Sequence, residues 1–252
     1  MKNCIDLNCD LGEWKTKDGF IRDEAIMPFI SSCNIACGGH IGDEKSMRTT
    51  IQLAKKNGVK IGVHPSYPDR ENFGRVVMDI SSSTLEKSLI EQLYTFKEYL
   101  LVEGESLHHI KPHGALYNEA AKNRNTAELI VSVIKQFDKN IPIYLPPNSV
   151  SNKIAREAGL KVVNEVFADR IYEDDLSLRS RKLDKAVIED EADVIAQLRS
   201  LIFKKAVLTY SGKHKSINAE TVCLHSDTPG AIKLAKTIHN FLTNNGVEII
   251  SA

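Results

Sequence analysis

The chain of 252 residues contains no apolar run that approaches the roughly 18 residues of a membrane-spanning helix. Its first residues also lack the apolar segment of a secretory signal, because Asp6 and Asp10 interrupt them. Lys and Arg number 33, as do Asp and Glu, so the formal net charge is zero. A zero charge gives no electrostatic reason to expect nucleic acid or an anionic membrane as a partner. These absences predict a cytoplasmic protein.

Cysteine is too sparse and too irregularly spaced for a disulfide framework. The five cysteines are an odd number in a long chain without a Cys-x-x-Cys pair, which predicts reduced thiols. No glycine-rich phosphate loop and no G-x-S-x-G nucleophile elbow occur. A nucleotide would therefore bind through Lys, His and backbone groups, or would bind to a partner subunit. No linker, repeat or low-complexity tract divides the chain, so residues 1–252 are predicted to form a single domain.

Short β-branched segments alternate with longer amphipathic ones. One helix is predicted from a capping box at Ser83 and Glu86, and another from Thr228 and Pro229 to about Gly246. This alternation favours an α/β fold, a distorted (β/α) barrel of seven or eight parallel strands. The predicted strands are Cys4–Asn8, Asn34–Cys37, Val59–Val63, His109–Lys111, Ile141–Leu145, Lys161–Val166 and Thr221–Leu224, with Val247–Ile250 as a candidate eighth. The charged stretch Ala168–Ala186 is predicted to be a loop beside the site, and Lys204–Glu220 resists assignment.

Polar residues that fit poorly in a core cluster directly after the predicted strands. In an α/β barrel all strands open their carboxyl ends on one rim, where active sites are built, whereas a doubly wound sheet joins only its switch-point loops. The residues are therefore predicted to meet in one pocket. They are Asn8, Asp10, Glu13, Asn34, His40, Asp43, His64, Lys111, His113, Glu165, Asp169, Arg170, His225 and Asp227.

These residues also have structural explanations. A single His at a strand end is more often hydrogen-bonded in place than catalytic. Asp43 can cap a helix, and Glu13 can be a solvated loop charge. Asp169 and Arg170 can form an ion pair that holds a loop.

A divalent metal is a further alternative. Asp10, His40 and His64 offer the carboxylate and imidazole groups that such ions bind. No His-x-x-His or His-x-x-x-His spacing supports this set locally. The sequence therefore leaves metal binding open.

Seven segments carry a family resemblance. They are Asp6-Leu-Asn-Cys-Asp-Leu-Gly-Glu13, Asn34-Ile-Ala-Cys-Gly-Gly-His40 with Gly42-Asp43, His64-Pro-Ser-Tyr-Pro-Asp69, Phe73-Gly-Arg75, Lys111-Pro-His-Gly-Ala-Leu-Tyr-Asn118, Glu165-Val-Phe-Ala-Asp-Arg170 and Cys223-Leu-His-Ser-Asp227. Together, from about residue 4 to the C-terminus, they resemble the LamB/YcsF family, whose members are A-subunits of 5-oxoprolinase. The departures are Gly39 and Ile41 where Phe and Ala are usual, Val76 in place of a second Arg, Ser226 in the usual His-Gly-Asp, and Leu176 in place of Gly.

The resemblance implies a barrel similar to those of sugar deacetylases and glycoside hydrolases. It also implies ATP-dependent cleavage of 5-oxo-L-proline to L-glutamate, with ADP and phosphate as the other products, carried out with two partner subunits. An unstrained five-membered lactam resists water, and coupling to ATP overcomes that resistance. ATP is therefore the expected co-substrate of the assembled enzyme.

Candidate roles follow from the side-chain chemistry. Lys111 suits phosphate or oxyanion charge, imidazoles suit proton transfer near neutral pH, and Arg suits a two-pronged grip on a carboxylate. The predicted catalytic residues are Asp10, His64, Lys111, His113 and Asp169. The predicted substrate-binding residues are Asn8, Asn34, Arg75, Glu165, Arg170 and His225. Two alternatives are a metal-dependent deacetylase acting on a carbohydrate amide and a non-catalytic subunit that presents substrate to a partner.

Overall fold

The computed structural model describes residues 4–14 and 16–252, in which strands and helices alternate. The strands are β1 (Cys4–Leu11), β2 (Ser32–Ala36), β3 (Lys60–His64), β4 (His109–Ile110), β5 (Ile143–Leu145), β6 (Val162–Phe167), β7 (Ala206–Leu208), β8 (His214–Ser216), β9 (Thr221–His225) and β10 (Glu248–Ile249). The helices are α1 (Lys17–Ile26), α2 (Glu44–Asn57), α3 (Ser82–Val102), α4 (Gly114–Ala120), α5 (Arg124–Asp138), α6 (Val150–Glu157), α7 (Glu191–Phe203) and α8 (Ala231–Asn244), and a 3₁₀ turn covers Met27–Phe29.

Seven parallel strands close into a ring in the order β1-β2-β3-β4-β5-β6-β9, because β9 pairs with both β6 and β1. This confirms the predicted barrel. The candidate eighth strand, β10, is parallel to β1 but pairs only with its first residues, Cys4 and Ile5, and so lies outside the ring. The register sets Asp10 beside Asn34 on one neighbouring strand and beside His225 on the other.

The core lies between the ring and its helices. After Cys4, every residue of β1 is buried, as expected of a strand covered on both faces. Helix α5 buries a stripe of apolar residues at helical spacing, among them Ile130, Ile134 and Phe137. Apolar packing on the outer face of the strands leaves their inward-facing positions for polar side chains.

Two predicted helix starts are wrong. Helix α3 is capped by Ser81, whose hydroxyl accepts from the backbone N–H of Thr84, and not by Ser83. Helix α8 begins after Gly230 rather than at Thr228. The Thr228 hydroxyl instead donates to Asp169, a contact 59 residues away in sequence.

The two irregular regions differ from each other. Ala168–Ala186 has no regular element, as predicted for a loop beside the site. The stretch Lys204–Glu220 contains the antiparallel pair β7 and β8. All five cysteines are free thiols, as predicted. In the described ranges, none of the helices combines the length and the apolar character needed to cross a lipid bilayer.

Candidate functional site

One cavity opens at the carboxyl ends of the barrel strands and has a volume of about 510 Å³. Among the predicted site residues that line it, five are contributed by β1, β3, β9 and the segment after β4. They are Asp10, His64, Lys111, His113 and His225. Residues from four separate segments therefore present carboxylate, imidazole and ammonium groups to one space.

Lys111 and Asp10 form the centre of the cavity floor. The Lys111 ammonium donates to Asp10 Oδ1 at 2.8 Å, lies 2.9 Å from Glu165 Oε1 and contacts Cys223 Sγ at 3.1 Å. Burial alone would lower the pKa of Lys111, but the nearby Asp10 and other acidic groups outweigh it and hold the pKa well above its usual value. The Lys111 ammonium is therefore engaged within the cavity floor by two carboxylates and a thiol.

Two histidines at the floor point lone pairs at each other. His64 Nδ1 lies 2.7 Å from the Lys111 carbonyl and His113 Nε2 lies 3.0 Å from the Phe73 carbonyl, so both of these nitrogens carry the proton and donate. The remaining nitrogens, His64 Nε2 and His113 Nδ1, are 2.9 Å apart. Two unprotonated nitrogens at this distance repel unless a proton or a cation lies between them.

Glu13 and His40 extend this group. Glu13 Oε1 is 2.8 Å from His40 Nε2 and 3.2 Å from His113 Nδ1, and the rings of His40 and His113 stack at 3.7 Å. Burial lowers the pKa of both His40 and His113, which favours neutral imidazoles. Glu13 is buried and is not the solvated charge that the sequence allowed. Its position directly after β1 was the only signal of this role.

The geometry of these side chains fits a divalent cation. Ligand atoms of Asp10, His64 and His113 lie within 4.8 Å of one another, as do those of Glu13, His40 and His113. The predicted set of Asp10, His40 and His64 is not one of these groups, because His40 turns toward Glu13. With neutral imidazoles, the buried carboxylates Asp10, Glu13 and Glu165 face one ammonium group, which leaves an excess of negative charge that a cation would offset.

His225 and Asp169 form a second acid–imidazole pair. His225 Nδ1 is 3.1 Å from both carboxylate oxygens of Asp169, so Nε2 is turned toward Asp10 Oδ2, at 3.9 Å. Burial alone would raise the pKa of Asp169, but His225 and the Thr228 hydroxyl outweigh it and lower the pKa to about 2. Asp169, predicted to be catalytic, does not line the cavity, and its carboxylate contacts the imidazole of His225.

Three predicted substrate-binding residues lie one layer beneath the cavity. Asn34 donates to Asp10 Oδ1 and to Asn8 Oδ1, and Asn8 donates to Glu165 Oε1 and to Thr221. Asn8 and Asn34 do not line the cavity, and their amide groups are used within the barrel, whereas Glu165 lines an adjoining cavity that shares Tyr117 and Phe167 with it. Through these contacts the three side chains hold Asp10 and Lys111 in place.

The remaining candidates lie at the mouth or outside it. Arg75 lines the cavity and pairs with Asp227. Arg170 also lines it, but its guanidinium donates to the carbonyls of Ala186 and Arg179 and so holds the loop. The ion pair of Asp169 and Arg170 that the sequence allowed is not what holds it, because the Asp169 carboxylate contacts His225 and Thr228. Asp43 caps α2 in a capping box with Ser46 and has no place in the cavity.

Comparison with known proteins assigns this barrel and cavity to a family. The model of the LamB/YcsF family matches residues 5–252. The chain belongs to the LamB/YcsF family. It is 41% identical over 251 residues to the 5-oxoprolinase A-subunit of Staphylococcus epidermidis, with all of both chains covered. It is 39% identical to that of Pyrococcus abyssi, covering 98% of this chain and 96% of the other.

A solved relative has the same fold. The lactam utilization protein of Thermus thermophilus is 34% identical and superposes with a TM-score of 0.91, covering 99% of this chain and 100% of the other. Two departures of this chain from the usual LamB/YcsF pattern have structural counterparts. A Cβ at Gly39 would lie 2.4 Å from Ser66 Oγ and 2.5 Å from Gln92 Oε1, so these side chains fill the space of a larger residue. Leu176, in place of the usual Gly, has a φ of 67°.

Proposed function

We propose that this chain provides the lactam-opening site of a multi-subunit 5-oxoprolinase, which converts 5-oxo-L-proline to L-glutamate with hydrolysis of ATP. The convergence of Asp10, His64 and His113 in one cavity, in a chain that matches 5-oxoprolinase A-subunits over its whole length, carries this proposal. The amide of the substrate would lie on this floor. Two partner subunits would complete the enzyme.

ATP is proposed to act through the partner subunits rather than in this cavity. The chain has no glycine-rich phosphate loop, and the Lys111 ammonium is engaged by Asp10, Glu165 and Cys223. Phosphorylation of the lactam oxygen would break the amide resonance and leave the ring carbon open to water. The present chain would then position the lactam and move protons.

Asp10, His64 and His113 are proposed to hold a divalent metal ion, with Glu13 close by. When bound, such an ion supplies Lewis-acid polarisation of a carbonyl oxygen and lowers the pKa of a coordinated water. The backbone carbonyls on the far nitrogens of His64 and His113 fix the tautomers that such binding requires. Asn34 and Lys111 hold Asp10 in its orientation.

His225 is proposed to transfer a proton to the lactam nitrogen as the ring opens. Asp169 fixes the ring of His225, so that Nδ1–H is bound and Nε2 faces the cavity. This is the arrangement by which a carboxylate orients a catalytic imidazole in acyl-transfer enzymes. Protonation of the nitrogen makes it an amine leaving group rather than an amide anion.

The test is turnover in the enzyme assembled with both partner subunits. His225→Ala should lower kcat for glutamate formation by about 10²–10⁴, the usual contribution of a general acid or base. His239→Ala is the matched control, because His239 lies on α8 outside the cavity and its Nδ1 contacts the Phe29 carbonyl. Full turnover by His225→Ala would contradict the assignment, and full activity of the isolated chain would contradict the need for partners.

The same group of ligands also suits a second function. A metal held by Asp10, His64 and His113 could hydrolyse an N-acetyl group of an amino sugar without ATP. Chelator-sensitive, ATP-independent release of acetate by the isolated chain would favour this function. Binding of 5-oxo-L-proline without turnover in any combination of subunits would instead favour a substrate-presenting role.

A further inference from the structure

Four arginines line the cavity, and they differ in how many of their N–H groups are already used. Arg179 donates from Nε to the Asp184 carbonyl and from Nη1 to Glu173, and its guanidinium lies 3.5 Å from the centre of the Tyr210 ring. Arg170 likewise donates to two loop carbonyls. These two arginines therefore hold the loop in place and have little left to offer a ligand.

The other two arginines share one carboxylate. Arg75 pairs with Oδ2 of Asp227, and Arg181 approaches Oδ1 of the same residue at 3.4 Å. Within residues 4–14 and 16–252, this long contact is the only hydrogen bond of Arg181 to the protein. Its side chain is 26% exposed and lines the cavity, and one long contact leaves most of its five N–H groups without a protein acceptor among the described residues.

The mouth therefore carries an excess of positive charge. Three positive charges, those of Arg75, Arg170 and Arg181, are balanced there by the single carboxylate of Asp227. The Asp169 carboxylate does not add to this balance, since it is already bound to His225 and Thr228. Burial lowers the pKa of Arg170 to about 10, and repulsion by Arg181 is the next cause. A bound anion would relieve this repulsion, whereas the floor, with its excess of carboxylates, would repel the same anion.

We infer that Arg181, together with Arg75 across Asp227, forms a subsite that binds the carboxylate of the lactam substrate. This inference rests on the proposed function and deepens it. An acidic floor and a basic mouth in one cavity of about 510 Å³ orient a small molecule that carries an amide at one end and a carboxylate at the other. Arg181 takes the role predicted for Arg170, because Arg170 is occupied by the loop.

The test compares the acid with an analogue that differs only in charge. Equilibrium binding of 5-oxo-L-proline and of 5-oxo-L-prolinamide is measured with the assembled enzyme. Loss of a charge-assisted hydrogen bond should make Arg181→Met bind the acid about ten- to a hundredfold more weakly and leave binding of the amide unchanged. Arg181→Lys should give an intermediate loss, because an ammonium keeps the charge but not the two-pronged geometry.

Lys185→Met is the matched control, since it removes one positive charge from an exposed residue of the same loop that does not line the cavity. It should change binding of the acid by less than about threefold, because an exposed charge is screened by salt. Equal binding of the acid by Arg181→Met and the wild type would overturn the subsite. Equal weakening of acid and amide would also overturn it, since that pattern would indicate a disturbed loop or a phosphate contact.

Turnover separates this inference from the proposed function. If the wild type binds the acid more tightly than the amide through Arg181 but forms no glutamate, the subsite stands and the proposed function falls. If glutamate forms and Arg181→Met has unchanged KM, the proposed function stands and the subsite falls.

Discussion

A carboxyl group removed from water keeps its charge only if its neighbours replace the lost hydration, and Asp169 illustrates the point. Its oxygens accept from the His225 backbone, the His225 ring and the Thr228 hydroxyl. These contacts outweigh the burial that would otherwise favour the neutral acid. The same contacts fix the ring that we propose as the proton donor.

Asp169 should make the stability of the protein depend on pH. Its pKa falls from the ordinary 3.8 to about 2 on folding, which corresponds to about 2 kcal/mol. A lowered folded-state pKa gives stability that is present above about pH 4 and lost as the pH falls through about 2. Asp169→Asn should therefore be less stable by about 2 kcal/mol near neutral pH. The deficit should shrink below about pH 4.

Denaturant unfolding at several pH values measures this difference. Asp79→Asn is the control, because Asp79 is exposed and its loss should change the free energy of unfolding by no more than about 0.5 kcal/mol. A deficit of Asp169→Asn that stays constant from neutral pH to about pH 3 would show that packing, not charge, sets its cost.

At the scale of elements, the end of α7 carries local strain. The helix ends at Phe203, Lys204 keeps a φ of −100°, and Lys205 takes a φ of 50° in the left-handed region. Glycine is the residue that commonly occupies this position after a helix. Lys205 is exposed, so its side chain contributes little packing in return for the strain.

Lys205→Gly should stabilise the protein by about 0.5–1 kcal/mol, because the relief of strain exceeds the added entropy of the unfolded chain. Lys204→Gly is the matched control, since Lys204 has an ordinary backbone conformation. This change should lower the free energy of unfolding by about 0.5 kcal/mol. Thermal and denaturant unfolding report both effects. Equal stability changes in the two variants would mean that the backbone at Lys205 is not strained.

The elements also show which features a sequence can predict. Strand positions were predicted because their signals are local, such as the β-branched run that becomes β6. The start of α8 was not predicted correctly. The Thr228 hydroxyl donates to Asp169, which lies in a distant segment, and the helix begins after Gly230 instead. Whether β10 enters the ring also depends on pairings between the two ends of the chain.

The same division applies to the site. Asp10, His64, Lys111 and His113 were predicted because barrel geometry gathers strand ends, whatever their separation in sequence. The sequence could not show which hydrogen-bond donors remain free to bind a ligand, because that depends on tertiary contacts such as the one between Lys111 and Glu165. Arg181 lies in an irregular loop whose path is set by Arg170 and Arg179, so no local pattern marks it.

At the scale of the whole molecule, a metal ion bound at the cavity floor should stabilise the folded ring of strands against unfolding. The proposed ligands Asp10, His64 and His113 come from segments on different sides of β2, so the unfolded chain cannot present them together. An ion that binds only the folded state raises the free energy of unfolding by about 2.7 kcal/mol at a concentration roughly one hundred times its Kd. The gain should rise with the logarithm of metal concentration.

Unfolding in the presence of zinc or manganese, after treatment with a chelator, measures this gain. Asp10→Asn should show little or no metal-dependent stabilisation, whereas Asp79→Asn should match the wild type. No stabilisation of the wild type by either ion, at concentrations up to about a millimolar, would remove the metal from the proposed site.

The pairing of β10 with the first residues of β1 places Cys4 beside Glu248, at the base of the barrel. The cavity opens at the opposite end of the same strand, where Asp10 lies. A fluorophore or a solid support attached at Cys4, which is exposed, would therefore leave the mouth of the cavity unobstructed.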